Sequence, residues 1–530
     1  MCKKLLIVSL SGIQDYIRMS RKISDLKISS IRAAKAISFL KSRTEQFLTK
    51  NCAEVKLLMG EAKETGNDKQ EQNMTVSWRD EDFADRSIPD FFIFSFCSDS
   101  KAADIEAGLG KFLKGSFRGI SDHSEQAEMM PEDISFYLAV CNWEGSGEND
   151  GYEEAYRKVQ RRLRAKKNDR MSEVSFRADP SECEAEIKEI VGTKKIRRGI
   201  CVLCGKRKGY TCAGEEVQGK LTEYLCPTCR KKRAAGEALR DFKELSTKMV
   251  AEEGASSDET GKYYTLIQAD LDDMGKYMSG EMKDRGERTL REYQEDLIWQ
   301  INEYQKNVKD GLGKLLGKTH IIYCGGDDLL FFCPVHKVWD ALKKIHDARK
   351  QAFQQSRITC SVNVTIVHWR EPMKHIVKTS NEQLAGVKEH YRSEGKGGLG
   401  LTLSYGGSFS RTVYLKGEEC QDELSRLIND FQCGKLSRSL IYSLEEELCG
   451  FGNNMSYEEY ELLEPILRSE IRRITARKCT DANEGALVSR LLDPFIVRVR
   501  NGFCIDFEAY FNLLHIAEKW AQCRRERRRV

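Results

Sequence analysis

Long apolar runs are missing from this 530-residue chain. The longest, such as Ile321–Cys324 and Leu329–Pro334, fall far short of the roughly 20 residues a helix needs to cross a bilayer. No signal-peptide pattern opens the chain, so a secretory leader is not expected either. Proline is scarce, at 8 residues, and 32% of residues are charged, the composition of a soluble globular protein. No strong charge of one sign is present: the net charge is +4, which by itself neither requires nor excludes nucleic acid. Local basic clusters do occur, in RKVQRRLRAKKNDR (157–170), KKIRRG (194–199), CRKKRA (229–234) and RRERRR (524–529), and each taken singly reads as a solvated helix face or chain end. Cysteine, by contrast, is plentiful, with 19 residues. Most are solitary within apolar segments (Cys97, Cys141, Cys324, Cys333, Cys360), as free core thiols are. That usage excludes a disulfide scaffold and predicts a reducing, cytoplasmic location with no membrane partner.

The chain is too long for one core, so several domains are expected. Its opening segment predicts a strand, a turn with Ser11 as cap, then a helix. Strands follow at PDFFIFSF (89–96) and DISFYLAVCNW (133–143), each leading into a helical stretch, with a polar loop over Gly60–Asp85 between. Interleaved strands and helices predict an α+β layer with helices on one sheet face. After a polar linker, AEEGASSDETG (251–261), a second such unit begins. Its strands are YYTLIQAD (263–270), THIIYC (319–324), LLFFCP (329–334), ITCSVNVTIVHW (358–369) and GLGLTLS (398–404), separated by helices. The two units read as a diverged duplication. From about Gly417 the pattern is helical. The domains are therefore expected at 1–175, 176–250, 258–416 and 417–530.

Four cysteines break the solitary pattern. Cys201-Val-Leu-Cys204 and Cys226-Pro-Thr-Cys229 form two CxxC pairs separated by residues 205–225, close to zinc-ribbon spacing. Four thiolates close a tetrahedral Zn²⁺ shell with no open position, so a structural zinc is expected. Cys212 lies between the pairs without a partner of its own.

The second unit carries a denser signal, HIIYCGGDDLLFFCP (320–334). If its elements follow a β-α-β-β-α-β order with spatial strand order 4-1-3-2, the first and third strands lie antiparallel side by side. Asp270, at the end of the first, then meets Asp327 and Asp328, at the start of the third. Crowded carboxylates repel one another unless a hard cation compensates them. Gly325 and Gly326 give the turn its backbone freedom and leave room for a close ligand. A two-metal phosphoryl or nucleotidyl transfer site has this arrangement, two Mg²⁺ or Mn²⁺ ions about 3.5–4 Å apart being bridged by carboxylates. Lys388 and Lys396, the latter in SEGKGG, are the cations available to a triphosphate. An ordinary Gly-Asp hairpin turn would explain GGDD alone, but not its conjunction with ADLDD. Asp272 and Asp273 follow Asp270 so closely that the spacing leaves open which of the three is the ligand. Ser11-Gly12, at a strand–helix junction, offers either a helix cap or backbone N–H groups for a nucleotide phosphate.

The run YYTLIQADLDDMGKYMSG, IIYCGGDDLLFF, VNVTIVHWREPMKHIV and EGKGGLGLTLS resembles the large polymerase-like subunit of type III CRISPR effector complexes, most closely the III-B form. The resemblance extends to SGIQDYIRMSRKISDL and to CVLCGKR…LCPTCRKKRA. It implies two ferredoxin-like palm domains facing each other, each holding one ATP, with an inserted zinc-ribbon-like module and a C-terminal helical domain. Only the second palm would carry metal-binding aspartates, Asp270 matching the strand-end ligand, Asp327 and Asp328 the GGDD pair, and Lys396 a triphosphate contact. Guide RNA, target RNA and the other subunits of the complex are the implied partners. The implied reaction is target-RNA-activated synthesis of cyclic oligoadenylate from ATP. Transfer of AMP to another acceptor, such as S-adenosylmethionine, or an idle scaffold, are the alternatives. Many members begin with an HD-type nuclease domain; here the sequence starts on the first palm strand and the first histidine is His123, so no such nuclease is expected.

Overall fold

The computed structural model describes residues 2–59, 91–118, 134–145, 150–169, 174–175, 196–212, 223–239, 245–253, 262–282, 285–354, 356–405, 409–416, 418–448, 450–479 and 483–524. The expected loop at Gly60–Asp85, most of the linker at 251–261 and the arginine tail beyond Arg524 lie outside these residues.

The first unit runs β1 (Cys2–Ser11), α1 (Ile13–Arg18), α2 (Ile23–Asn51), β2 (Ala53–Met59), β3 (Phe91–Ser98), α3 (Ala102–Arg118), β4 (Ser135–Asn142) and α4 (Tyr152–Asn168), with β5 (Val174–Ser175) at one edge. Its strands lie in the order β2-β3-β1-β4-β5. Leaving out β5, this is the 4-1-3-2 ferredoxin-like arrangement. β1 is apolar at nearly every position because both sheet faces are covered. Leu6, Val8 and Leu10 pack with α2 and α3. Leu5 and Ile7, on the opposite face, join the core that holds Tyr156, Val159 and Leu163 of α4. The expectation of helices on one face only is therefore corrected: α4, which follows the fourth strand, folds back over the bare side.

The cysteine module follows, with the hairpin β6 (Ile196–Ile200) and β7 (Lys208–Cys212) and the helix α5 (Pro227–Ala238). Proline at the first turn starts α5 without loss of a helical hydrogen bond. Gly205, at φ +66°, turns the first knuckle so that its N–H reaches the Cys201 carbonyl at 2.8 Å. The ligand atoms of Cys201, Cys204, Cys226 and Cys229 lie within 4.8 Å of one another, and all four residues are buried. This donor set fits a structural Zn²⁺. α5 is keyed into the first unit by buried polar contacts. Arg233 makes two bonds to Asp25 of α2, Nε to Oδ1 at 2.8 Å and Nη2 to Oδ2 at 3.0 Å. Asp25 is fully buried and also accepts from the backbone N–H groups of Arg21 and Lys22, capping α2. Lys232 donates to the carbonyls of Tyr16 at 2.9 Å and Met19 at 2.6 Å.

The second unit repeats the topology: β8 (Tyr263–Leu271), α6 (Leu290–Leu316), β9 (Ile321–Gly325), β10 (Asp328–Cys333), α7 (Val338–Ala352), β11 (Cys360–His368), α8 (Met373–His390), β12 (Leu399–Ser404) and β13 (Ser410–Leu415). The order β13-β12-β11-β8-β10-β9 contains 4-1-3-2 in its last four strands, as expected, and β12 and β13 extend the edge. One face, carrying Ile267, Ala269 and Leu271, packs in the core that holds α6 and α7. The other, carrying Tyr264 and Leu266, packs with α8 and with Ile17, Ile23 and Leu26 of the first unit. The C-terminal part is helical (α9 Glu418–Gln432, α10 Arg438–Leu448, α11 Tyr457–Lys478, α12 Asn483–Arg490, α13 Phe507–Arg524), with a small sheet β14 (Asn454–Met455), β15 (Ile496–Val499) and β16 (Gly502–Ile505) that was not expected. Trp520 of α13 stacks on Trp339 of α7 at 5.1 Å, joining it to the second unit.

Two outcomes follow. Burial works against the Asp25 charge, but Arg233 outweighs it and holds the carboxyl below its ordinary value. Asp25 therefore stabilises the folded chain fully at neutral pH and loses that effect as pH falls below about 4. Asp25→Ala leaves Arg233 buried without its partner, and denaturant unfolding should register a loss of about 3–5 kcal/mol at pH 7 that shrinks in acid. Metal analysis of the purified chain should find about one zinc per molecule, absent after Cys226→Ser with Cys229→Ser.

Candidate active site

The pairing of β8 with β10 builds the site. Asp328 stands directly opposite Asp270 in this antiparallel register. Side chains alternate along a strand, so Asp270 shares a face with Tyr264, Leu266 and Gln268, and Asp328 with Leu330 and Phe332. Both carboxylates thus emerge on the face covered by α8 and by α1 of the first unit. Lys388, near the end of α8, forms an ion pair with Asp270. Burial opposes the Lys388 charge, yet Asp270, Asp272 and Asp327 together hold its pKa above the ordinary value. Asp328 is pushed well up by burial, then by Asp327 and Asp270. The donors here are hard oxygens, the kind Mg²⁺ or Mn²⁺ prefers, while among the described residues only the cysteine quartet brings three or more ligand atoms within 4.8 Å of one another.

Gly326, at φ +62°, gives the turn its left-handed residue, and an added Cβ there would meet nothing within 4 Å. The constraint at Gly326 is thus conformational rather than one of space. Gly325 ends β9, paired with Asp328. Two hydrogen bonds hold the turn: Gln305 Nε2 donates to the Gly326 carbonyl at 2.8 Å, and the Leu271 N–H to the Asp327 carbonyl at 3.0 Å.

Asp270, Asp272 and Asp273 separate cleanly. Asp272 is buried and accepts from Thr359 Oγ1 at 2.8 Å, Ser361 Oγ at 2.8 and 3.0 Å and the Gly397 N–H at 3.0 Å. Burial raises its pKa, the two hydroxyls opposing. It ties β8 to the glycine-rich turn ahead of β12. Asp273, itself left-handed at φ 55°, pairs with Lys396 and Lys276, each at 2.9 Å. Lys396 sits between Gly395 and Gly397 in a run of three positive φ angles (80°, 58° and 74°). That costs about 1–2 kcal/mol at the lysine, and it turns the side chain toward Asp273. Only Asp270 of the three faces Asp328.

A cavity of about 640 Å³ opens between the two units. Gly326 and Asp327 line it from the turn, and Met274, Met278, Ile298 and Ile301 form an apolar wall. Opposite stands α4 with Arg157, Arg161, Arg164 and Lys167. These residues belong to the cluster expected to be a solvated helix face. They are exposed, but into this cavity, and which face of a helix meets another unit is not written in its own periodicity. Ser9, not Ser11 or Gly12, lines the cavity from β1, donated to by Lys167 Nζ at 2.9 Å. Gly12 instead caps α1 at φ 84°. Lys388 and Lys396 stand behind the turn at their aspartates rather than in the cavity wall.

Gln14 of α1 was not singled out from sequence. Its Nε2 donates to Asp328 Oδ2 at 3.1 Å. His368 packs edge-on to Tyr263 and accepts from the Arg370 N–H. His346 and Asp347 lie on α7.

Residues 263–396 match the family described as Cas10/Cmr2, second palm domain. A curated relative, the CRISPR system Cmr subunit Cmr2 of Pyrococcus furiosus, is 27% identical over 254 residues, 41% of this chain and 27% of its own length. The chain thus spans about a quarter of that relative in the aligned stretch. Two cryo-EM structures of type III-B Cmr-beta share the fold at 12% identity. The apo state matches with TM-score 0.57 over 98% of this chain and 82% of the other. The form bound to cognate target RNA matches with TM-score 0.59 over 98% and 83%. No described helix is long and apolar enough to cross a membrane. The paired carboxylates and the family match fall on the same stretch: residues 263–396 are similar to the second palm domain of Cas10/Cmr2.

Proposed function

We propose that this chain is the large subunit of a type III CRISPR RNA-guided complex, working in the cytoplasm with guide RNA, target RNA and the other subunits. Residues 1–175 and 258–416 are its two palms, 176–250 its zinc-bearing module and 417–530 its helical domain. Its activity in this reading is target-RNA-activated nucleotidyl transfer, making cyclic oligoadenylate from ATP. One observation carries the chemistry: Asp270 faces Asp328 across two strands while Asp327 lines a cavity between the palms. The Cmr2 relative and the resemblance of the GGDD and ADLDD segments support the assembly.

Asp270, Asp327 and Asp328 would hold two Mg²⁺ or Mn²⁺ ions, which polarise the α-phosphate and lower the pKa of the attacking hydroxyl. The chain's own groups supply position and charge. Arg161 and Arg164 take the polyphosphate across the cavity, and the apolar wall receives an adenine. Lys388 pairs with Asp270 when no cation is bound. With one ATP on each palm, a 3′-oxygen of one bonds to the α-phosphorus of the other, and pyrophosphate leaves with the breaking P–O bond.

Labelled ATP, Mn²⁺ and complementary RNA, added to the complex assembled with this chain, should give RNA-dependent pyrophosphate and adenylate products. Asp327→Ala with Asp328→Ala should abolish both; equal turnover in that variant overturns the metal-site assignment. Addition of S-adenosylmethionine to the same assay distinguishes the acceptor. Arg161→Ala with Arg164→Ala should raise the ATP concentration for half-maximal turnover roughly tenfold or more, since charged hydrogen bonds to phosphate are lost. An unchanged value would place the polyphosphate elsewhere.

A further inference from the structure

α1 is a helix of the first unit, yet one of its side chains ends on the second unit's carboxylates. Gln14 Nε2 donates to Asp328 Oδ2 at 3.1 Å, and Tyr323 of β9 is a further neighbour of the Gln14 amide. Tyr323 is buried, so the amide has a fixed neighbour on one side and the carboxylate on the other. An amide held this way engages one oxygen of Asp328 and sets the rotation of the carboxylate.

The helix that delivers Gln14 is itself held from three directions. Gly12, left-handed at φ 84°, turns the chain out of β1 immediately before it. Ile17 packs with Tyr264, Leu266, Tyr323 and Leu330 of the second unit. At the far end, Lys232 binds the carbonyls of Tyr16 and Met19 and lies 4.5 Å over the Tyr16 ring. The Met19 side chain packs among Cys201, Cys204, Cys226 and Cys229. Beside α1, the buried Lys27 of α2 donates to the Ile321 and Ile322 carbonyls at 3.2 and 3.3 Å, pinning β9 to the first unit.

Resting on the metal-site reading above, we propose that Gln14 is a positioning residue acting across the interface between the units: it orients Asp328 for cation binding, and Lys232 of the cysteine module sets the helix that carries it. Groups that orient ligating carboxylates alter cation affinity by about 10–100-fold when removed. A residue that merely packs would change stability instead.

The test uses the full chain and Mn²⁺. Gln14→Met keeps the volume and loses the donor. Mn²⁺ binding, followed by electron paramagnetic resonance without nucleotide, should weaken about tenfold while the melting temperature stays within a degree or two. In the assembled complex the Mn²⁺ concentration for half-maximal turnover should rise similarly, with much of the rate recovered at saturating Mn²⁺. Lys232→Met should shift the Mn²⁺ affinity in the same direction while leaving Gln14 intact; its melting temperature is measured alongside to score any loss of fold. Wild-type Mn²⁺ affinity in Gln14→Met, with Asp327→Ala/Asp328→Ala unable to bind, overturns the role of Gln14 and leaves the metal site standing. A wild-type chain that binds no Mn²⁺, or a double variant that binds normally, overturns both.

Discussion

Everything at this site follows from one backbone register. Antiparallel pairing of β8 and β10 sets Asp270 against Asp328 with no freedom to separate, because a slip of one residue would send the apolar side chains of both strands to the wrong faces. The hydrophobic cores on either side of the sheet thus hold two carboxylates together against their repulsion. Burial energy spread over many residues fixes an arrangement that local electrostatics would disperse. Lys388 relieves part of that repulsion by pairing with Asp270, and the donors are the hard oxygens that a hard cation prefers.

The second unit was largely legible because its chemistry is written in contiguous words. ADLDD closes a strand, GGDD joins two, and the apolar runs between are long enough to count. The β-α-β-β-α-β reading predicted the neighbouring of β8 and β10, which the structure has. The cysteine module was legible for the same reason, two CxxC words at a spacing that chemistry restricts. In the first unit the same topology was harder to see. β2 is a half-exposed edge strand with Glu54 and Lys56 on its open side, and lacks the apolar density that marks β1 and β3.

What sequence withheld was tertiary. Arg161 and Arg164 have the spacing of any solvated helix face, and only the packing of α4 across β1 and β4 turns them toward Asp327. The three aspartates of ADLDD look equivalent in order, yet Thr359, Ser361 and Gly397 claim one, and Lys276 and Lys396 another. Gln14 has neither charge nor periodic partner to mark it. Its meaning comes from a contact 314 positions away in the chain.

The apolar face shared between the units has a practical side. Ile17, Ile23 and Leu26 of the first unit form a common core with Tyr264, Leu266, Leu330 and Phe332 of the second. A fragment cut at the 251–261 linker to isolate the second unit would expose to water the part of that sheet face that the first unit covers. Such a piece would invite self-association through the uncovered apolar side chains. Dissection of this protein is therefore better done by point substitution than by truncation.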